Sequence, residues 1–187
     1  TLATDTDVIV IEDYDKGVLS RYVIDAAMRV SSEHCIPSVV DPKRRNFFSF
    51  SGATVFKPNA KELGDALGAC IYPDDPLWMK RTREHLSCDC LLVTLGSEGM
   101  ALDVEGGGYD RLLGTSRMVF DVSGAGDTVT AVVATVMAAG GSPVEAADLA
   151  NHAAAVGVTK SGVATVSPEE ILEHIKETFH TKPTENK

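Results

Sequence analysis

Short apolar runs and longer amphipathic stretches alternate along most of the chain. "DVIVIED" (residues 7–13), "IPSVVDP" (36–42), "GATVFKP" (52–58) and "CDCLLVTLG" (88–96) are brief and rich in β-branched residues. Such continuous runs predict strands buried on both faces, which is the habit of parallel sheets. Between them, "SRYVIDAAMRVSSEH" places Tyr22, Ala26, Ala27 and Val30 near helical spacing, with Ser20 as the predicted N-cap. "NAKELGDALGA" predicts a helix ending near Gly68, and "DDPLWMKRTREHLS" another. "GMALDVEGGGYDRLLGT" alternates about a glycine-rich turn and predicts a hairpin. The remainder predicts three helices: Gly124 to Ala139, Ser142 to about Lys160, and Ser167 to about Phe179.

Strands alternating with helices predict a mostly parallel sheet with helices on both faces. Ligands of such sheets bind outside the carboxyl ends of the strands. The loops "EDYDKG", "DPKRRN", "KPNAKE" and "TLGSEG" each follow a predicted strand, so they should crowd one rim. No repeat, low-complexity segment or linker divides the chain, so residues 1–180 are expected to form a single domain, with 181–187 as a disordered tail. The chain opens inside a buried-looking strand without an initiator Met, and an upstream segment is expected to precede it.

Composition narrows the partners. A 44% hydrophobic and 24% charged content is ordinary for a globular domain. The net charge of -10 and the lack of basic clustering argue against nucleic acid. No apolar run approaches the ~20 residues of a membrane span, and no signal peptide is recognisable. The four cysteines, Cys35, Cys70, Cys88 and Cys90, lack zinc or redox-pair spacing. Reduced thiols in the cytoplasm are the expectation.

The candidate chemistry centres on "DVSGAGD", residues 121–127, at the mouth of a long apolar helix. Gly124 and Gly126 permit a curled backbone whose N–H groups, Ala125 included, can converge on one point. At a helix start this makes an anion site without any basic residue. Asp127 beside it can accept a hydroxyl proton as the oxygen attacks phosphorus. Equally, a carboxylate in a first helical turn complements the helix dipole. In "KPNAKEL", Asn59 and Glu62 have capping-box spacing. Thr94, Gly96 and Gly99 follow a buried strand, either as turn residues or as a binding loop. Lys16 and Lys43 lie on strand-end loops and can meet phosphates; Arg44 and Arg45 are expected on the surface, and His152 is expected to be structural.

"DVSGAGD" resembles the C-terminal signature of the ribokinase-like, phosphofructokinase B type, carbohydrate kinases. Val122 stands where that family commonly has Thr, a departure heptose kinases share. The resemblance covers nearly the whole chain. It implies a three-layer α/β/α sandwich lacking its N-terminal strands and lid, with Gly124, Ala125 and Gly126 as anion hole and Asp127 as base. It implies that Asn59 and Glu62 handle ATP phosphates and Mg2+, Glu62 acting through water. Thr94, Gly96, Gly99 and Asn151 would border the nucleotide. The backbone carbonyls of Asp121 and Ser123, with the loop from Lys160 to Thr165, would hold a monovalent cation such as K+. "EDYDKG" and "VVDPKRRNFFSFSGATVFKPNAKEL" are most similar to heptose 7-phosphate kinases. They imply a sugar phosphate acceptor, phosphorylated at C1 of D-glycero-D-manno-heptose 7-phosphate for lipopolysaccharide core synthesis. Family habit implies a homodimer, and the upstream half of such kinases supplies most sugar contacts, so the chain by itself is expected to be impaired. Two alternatives stand beside this reading: another small-molecule kinase of the same superfamily, acting on a sugar, nucleoside or vitamin, and a noncatalytic nucleotide-binding fragment.

Overall fold

A computed structural model describes residues 5–115 and 119–180; the proposed tail at 181–187 lies outside them. Six strands form one sheet in the order β1 (Ile9–Glu12), β2 (Ser38–Asp41), β3 (Val55–Phe56), β4 (Cys90–Thr94), β5 (Gly99–Val104) and β6 (Gly108–Leu113). The first four run parallel and the last two are antiparallel, joined as the predicted hairpin. The helices are α1 (Arg21–His34), α2 (Ala60–Leu67), α3 (Pro76–Leu86), α4 (Ala125–Ala138), α5 (Pro143–Gly157) and α6 (Pro168–His180).

The apolar runs read as continuous because successive residues are buried on opposite faces of the sheet. Val40, Phe56, Leu91 and Val93 pack with Ile24 of α1, Leu63 of α2 and Met79 of α3. Their neighbours Val39, Val55, Cys90 and Leu92 pack on the other face with Val129 and Val133 of α4 and Ala146, Ala147 and Ala150 of α5. Each fully buried large side chain contributes about 1.5–3 kcal/mol, so both faces must be covered for this sheet to persist. The alanines of α5 let that helix lie close against α4.

Local signals set most element ends. The Ser20 hydroxyl accepts from the Val23 N–H, and Asp75 caps α3 ahead of Pro76. Capping boxes open α2, through Asn59 and Glu62, and α5, through Ser142 and Glu145. Gly68 closes α2 in the left-handed conformation. Two expectations need correction. Tyr22 is exposed rather than part of the α1 core stripe, because the buried face runs through Ile24 and Ser31, with Ala27 and Met28 packed beside it. The α5 helix ends at Gly157, short of Lys160, since the chain turns there toward Asp121: the Val158 carbonyl accepts from both Phe120 and Asp121 N–H groups.

Burial pushes the Cys88 thiol up to about 12 and that of Cys90 higher, so both are inert core groups. No helix among the described residues is long and apolar enough to cross a membrane.

Candidate active site

The parallel register brings three charged residues to one level at adjacent strand ends. Glu12 and Asp41 are register partners at the ends of β1 and β2, and Lys57 immediately follows β3. The Lys57 ammonium, almost fully buried, donates to Asp41 Oδ2 at 2.7 Å. Asp41 Oδ1 accepts from Lys43 Nζ at 3.0 Å, and Lys43 also donates to Glu62 Oε1 at 2.6 Å. The other Glu62 oxygen accepts from the Asn59 N–H at 2.9 Å, completing the capping box. Capping therefore aims Glu62, as the Asn-x-x-Glu spacing allows, and its second oxygen joins the rim. Although burial works to lower it, hydrogen bonding to Glu62 and Asp41 holds the Lys43 ammonium above the ordinary lysine range.

The glycine turn arrives at this rim from the opposite layer. Gly124 is left-handed, with φ +76°, and a β-carbon there would stand 3.1 Å from Val163 Cγ1. The Ala125 N–H donates to the Val122 carbonyl. The Gly126 and Asp127 N–H groups find no acceptor among the described residues; of the predicted anion hole of Gly124, Ala125 and Gly126, the Ala125 donor is thus paired and that of Gly126 is free. A β-carbon on Gly126 would meet Lys57 Nζ at 3.8 Å and Asp41 Oδ2 at 3.9 Å. Glycine keeps that side of the turn bare, over the buried ion pair.

One oxygen each of Glu12, Asp41 and Asp127 lies within 4.8 Å of the others. Burial, reinforced by the negative charge of Asp41, raises the Glu12 carboxyl above the usual carboxylate range; the nearby Thr130 hydroxyl, which donates to the Gly126 carbonyl at 3.1 Å, and the charge of Lys57 oppose this. The negative charges of Asp127 first and Glu12 second keep the exposed Tyr14 phenol protonated above its usual range.

The other predicted residues are placed less centrally. Thr94 bridges Asn59, its N–H donating to the Pro58 carbonyl, so that loop does border the α2 start. Gly96 is exposed with φ +61°. Gly99 answers a packing demand, for a β-carbon there would lie 2.1 Å from the Leu112 carbonyl oxygen. Asn151 is buried in α5 and donates to the Leu113 carbonyl at 2.8 Å, tying the helix to β6. Lys16 is exposed in a tight turn between Asp15 and Gly17, both at positive φ, with no contact to the carboxylate cluster among the described residues. The Asp121 carboxylate accepts from the Ser123 and Gly162 N–H groups, and these bonds, Ser123 first, hold it below the usual range. That contact joins the turn to the 160–165 loop, but the Thr165 carbonyl already accepts from Lys160 Nζ. His152 is buried in α5 and faces His174 of α6 at 3.1 Å.

Four rim residues escaped the sequence reading as site members: Glu12, Tyr14, Asp41 and Lys57. The available signal was a charged residue at the end of each of three consecutive apolar runs.

An α/β sandwich with a bare, glycine-lined helix start beside strand-end carboxylates is the architecture of ribokinase-like enzymes. Arabidopsis thaliana ribokinase, solved with ribose and ATP, superposes with a TM-score of 0.79 at 21% identity, covering 94% of this chain and 57% of that one. Escherichia coli phosphofructokinase-2, solved with potassium, gives 0.81 at 16% identity, covering 95% and 59%. The pfkB family carbohydrate kinase model matches residues 6–170, and the chain belongs to that family. It is 42% identical over 168 residues to the bifunctional protein HldE of Pelobacter propionicus, and 42% over 174 residues to that of Citrifermentans bemidjiense. These matches cover 89% and 91% of the chain but 34% and 36% of the relatives, so the chain spans about a third of their length.

Proposed function

We propose that the protein transfers a phosphoryl group from ATP to a sugar phosphate hydroxyl, with C1 of D-glycero-D-manno-heptose 7-phosphate as the acceptor. The observation that carries this reading is the placement of Asp127 in a helix start whose Gly126 and Asp127 N–H groups are unpaired, with Gly126 over the buried Lys57 ammonium and the Asp127 carboxylate beside those of Glu12 and Asp41. The donor set suits the nucleotide: Gly126 and Asp127 N–H groups, augmented by the helix dipole, fit phosphoryl oxygens, and Glu62 is an oxygen ligand suited to hydrated Mg2+. ATP supplies the phosphoryl group and Mg2+ the neutralising charge. Asp127 accepts the proton of the attacking hydroxyl. The unpaired amides meet charge developing on the equatorial oxygens and need no reorganisation to do so. The resemblance of "EDYDKG" and "DPKRRN" to heptose kinase loops, with the similarity to HldE proteins, supports the choice of acceptor.

The test is turnover of the full-length protein against a panel of phosphorylated and unphosphorylated sugars and nucleosides, with ATP and Mg2+. Heptose 7-phosphate is expected to be preferred. Asp127→Asn should lower kcat by about 10²–10⁴-fold while ATP binding survives. Near-normal turnover of that variant removes Asp127 from the chemistry, and preference for an unphosphorylated substrate rejects the acceptor.

A further inference from the structure

Asp41 has more connections than the end of a strand requires. One oxygen is held by Lys57 and the other by Lys43, and Lys43 carries the connection on to Glu62. Lys57 in turn lies against the open side of Gly126, 3.8 Å from where a methyl group would be. A continuous path of charged contacts thus runs from beneath the glycine turn to the start of α2: Gly126, Lys57, Asp41, Lys43, Glu62. The Lys57 side chain is 3% exposed and that of Asp41 7%. Desolvating such a pair offsets most of its attraction, and a well-packed apolar pair would stabilise the fold as well or better. Fold stability therefore gives this pair little reason to exist.

We propose, resting on the kinase reading above, that Lys57 is a positioning residue for phosphoryl transfer. It acts through Asp41. The ammonium fixes the Asp41 carboxylate at the end of β2, Asp41 orients Lys43, and Lys43 holds the outward oxygen of Glu62. The three adjoining strands make the path rigid, because Glu12 and Asp41 are register partners and β3 ends one residue before Lys57. The consequence is a fixed separation between the amides that meet the phosphoryl group and the carboxylate that faces the nucleotide's hydrated metal. Preorganisation of this kind acts on the reaction with no direct contact between Lys57 and substrate.

The experiment compares Lys57→Met, Asp41→Asn and the double variant in the full-length protein, with Lys43→Met as a separate cut in the path and Asp127→Asn as control. Lys57→Met leaves Asp41 with only the partly exposed Lys43 ammonium, Asp41→Asn leaves the buried Lys57 ammonium without its carboxylate, and both should lower the denaturation midpoint. The double variant removes both charges and should recover most of that midpoint. If Lys57 positions the site, the recovered double variant stays about 10–100-fold down in kcat/KM for Mg·ATP, and its Mg2+ requirement rises. Lys43→Met, whose side chain is one-third exposed, should fold normally and bind Mg·ATP about 10-fold more weakly in calorimetry. Catalysis that returns with stability in the double variant overturns the proposal, as does unchanged Mg·ATP affinity in Lys43→Met. A wild-type protein without phosphotransfer would instead defeat the kinase reading; the calorimetric comparison of the five variants with wild type still decides whether the path positions Glu62.

Discussion

Glu12 ends a strand beside two other carboxylates, and burial followed by Asp41 raises its carboxyl above the ordinary value of 4.5. Between that value and the raised one, the native state keeps a proton that the unfolded chain has lost. Stability from this group therefore falls as pH climbs through the window, and the ionised native carboxylate works against folding at neutral pH. Glu12→Gln should raise the thermal midpoint of the metal-free protein at pH 7, with the gain fading once pH drops below 4.5. A lower midpoint at pH 7 would mean that the attraction of Glu12 to Lys57 outweighs the repulsion. The identity of residue 12 was legible in the sequence, but its electrostatic situation was not. That depends on Asp41 and Asp127, which come from β2 and from the far side of the sheet.

At the scale of elements, α3 is held to β5 by Arg83, whose Nε donates to Asp103 Oδ2 at 2.7 Å and whose Nη1 reaches the Cys88 carbonyl. Both partners are buried. Asp103→Ala would strand the guanidinium, and a loss of about 3–5 kcal/mol is expected, read in urea as a lower midpoint with little change in slope. A loss under about 1 kcal/mol, the level of a surface pair, would show that water reaches Arg83. The element order itself was readable because each strand is a short apolar run and each helix carries caps, as at Ser20, Asn59 and Ser142. Tyr22 misled because Ala26, Ala27 and Val30 share its approximate spacing, and only the sheet decides which stripe of α1 turns inward. The end of α5 was misplaced for a similar reason: the residues after Gly157 have no local helix breaker strong enough to reveal that they turn to meet Asp121.

For the molecule as a whole, β6 and β1 are the two edge strands among the described residues, and the outer side of β1 pairs with no other described strand. Val10, Tyr14, Val18, Tyr22 and Val23 are exposed around that edge. An apolar margin beside an unpaired strand is a template for association. Sedimentation velocity on this chain should show a mass that grows with concentration, and Val10→Lys should suppress the growth. A single monomeric mass over a hundredfold concentration range would overturn this expectation.

By itself the sequence determined the succession of strands and helices, the glycine turn before α4 and the capping box of α2. All are governed by neighbours within a few residues, through burial periodicity, dihedral freedom and short-range hydrogen bonds. Tertiary structure alone decided that Glu12, Asp41 and Lys57 stand at one level, that Lys57 lies beneath Gly126, and that Lys43 spans Asp41 and Glu62. Those contacts join residues up to 69 positions apart, Lys57 and Gly126, and they depend on strand register and on which layer each helix occupies. Packing of the whole sheet sets both.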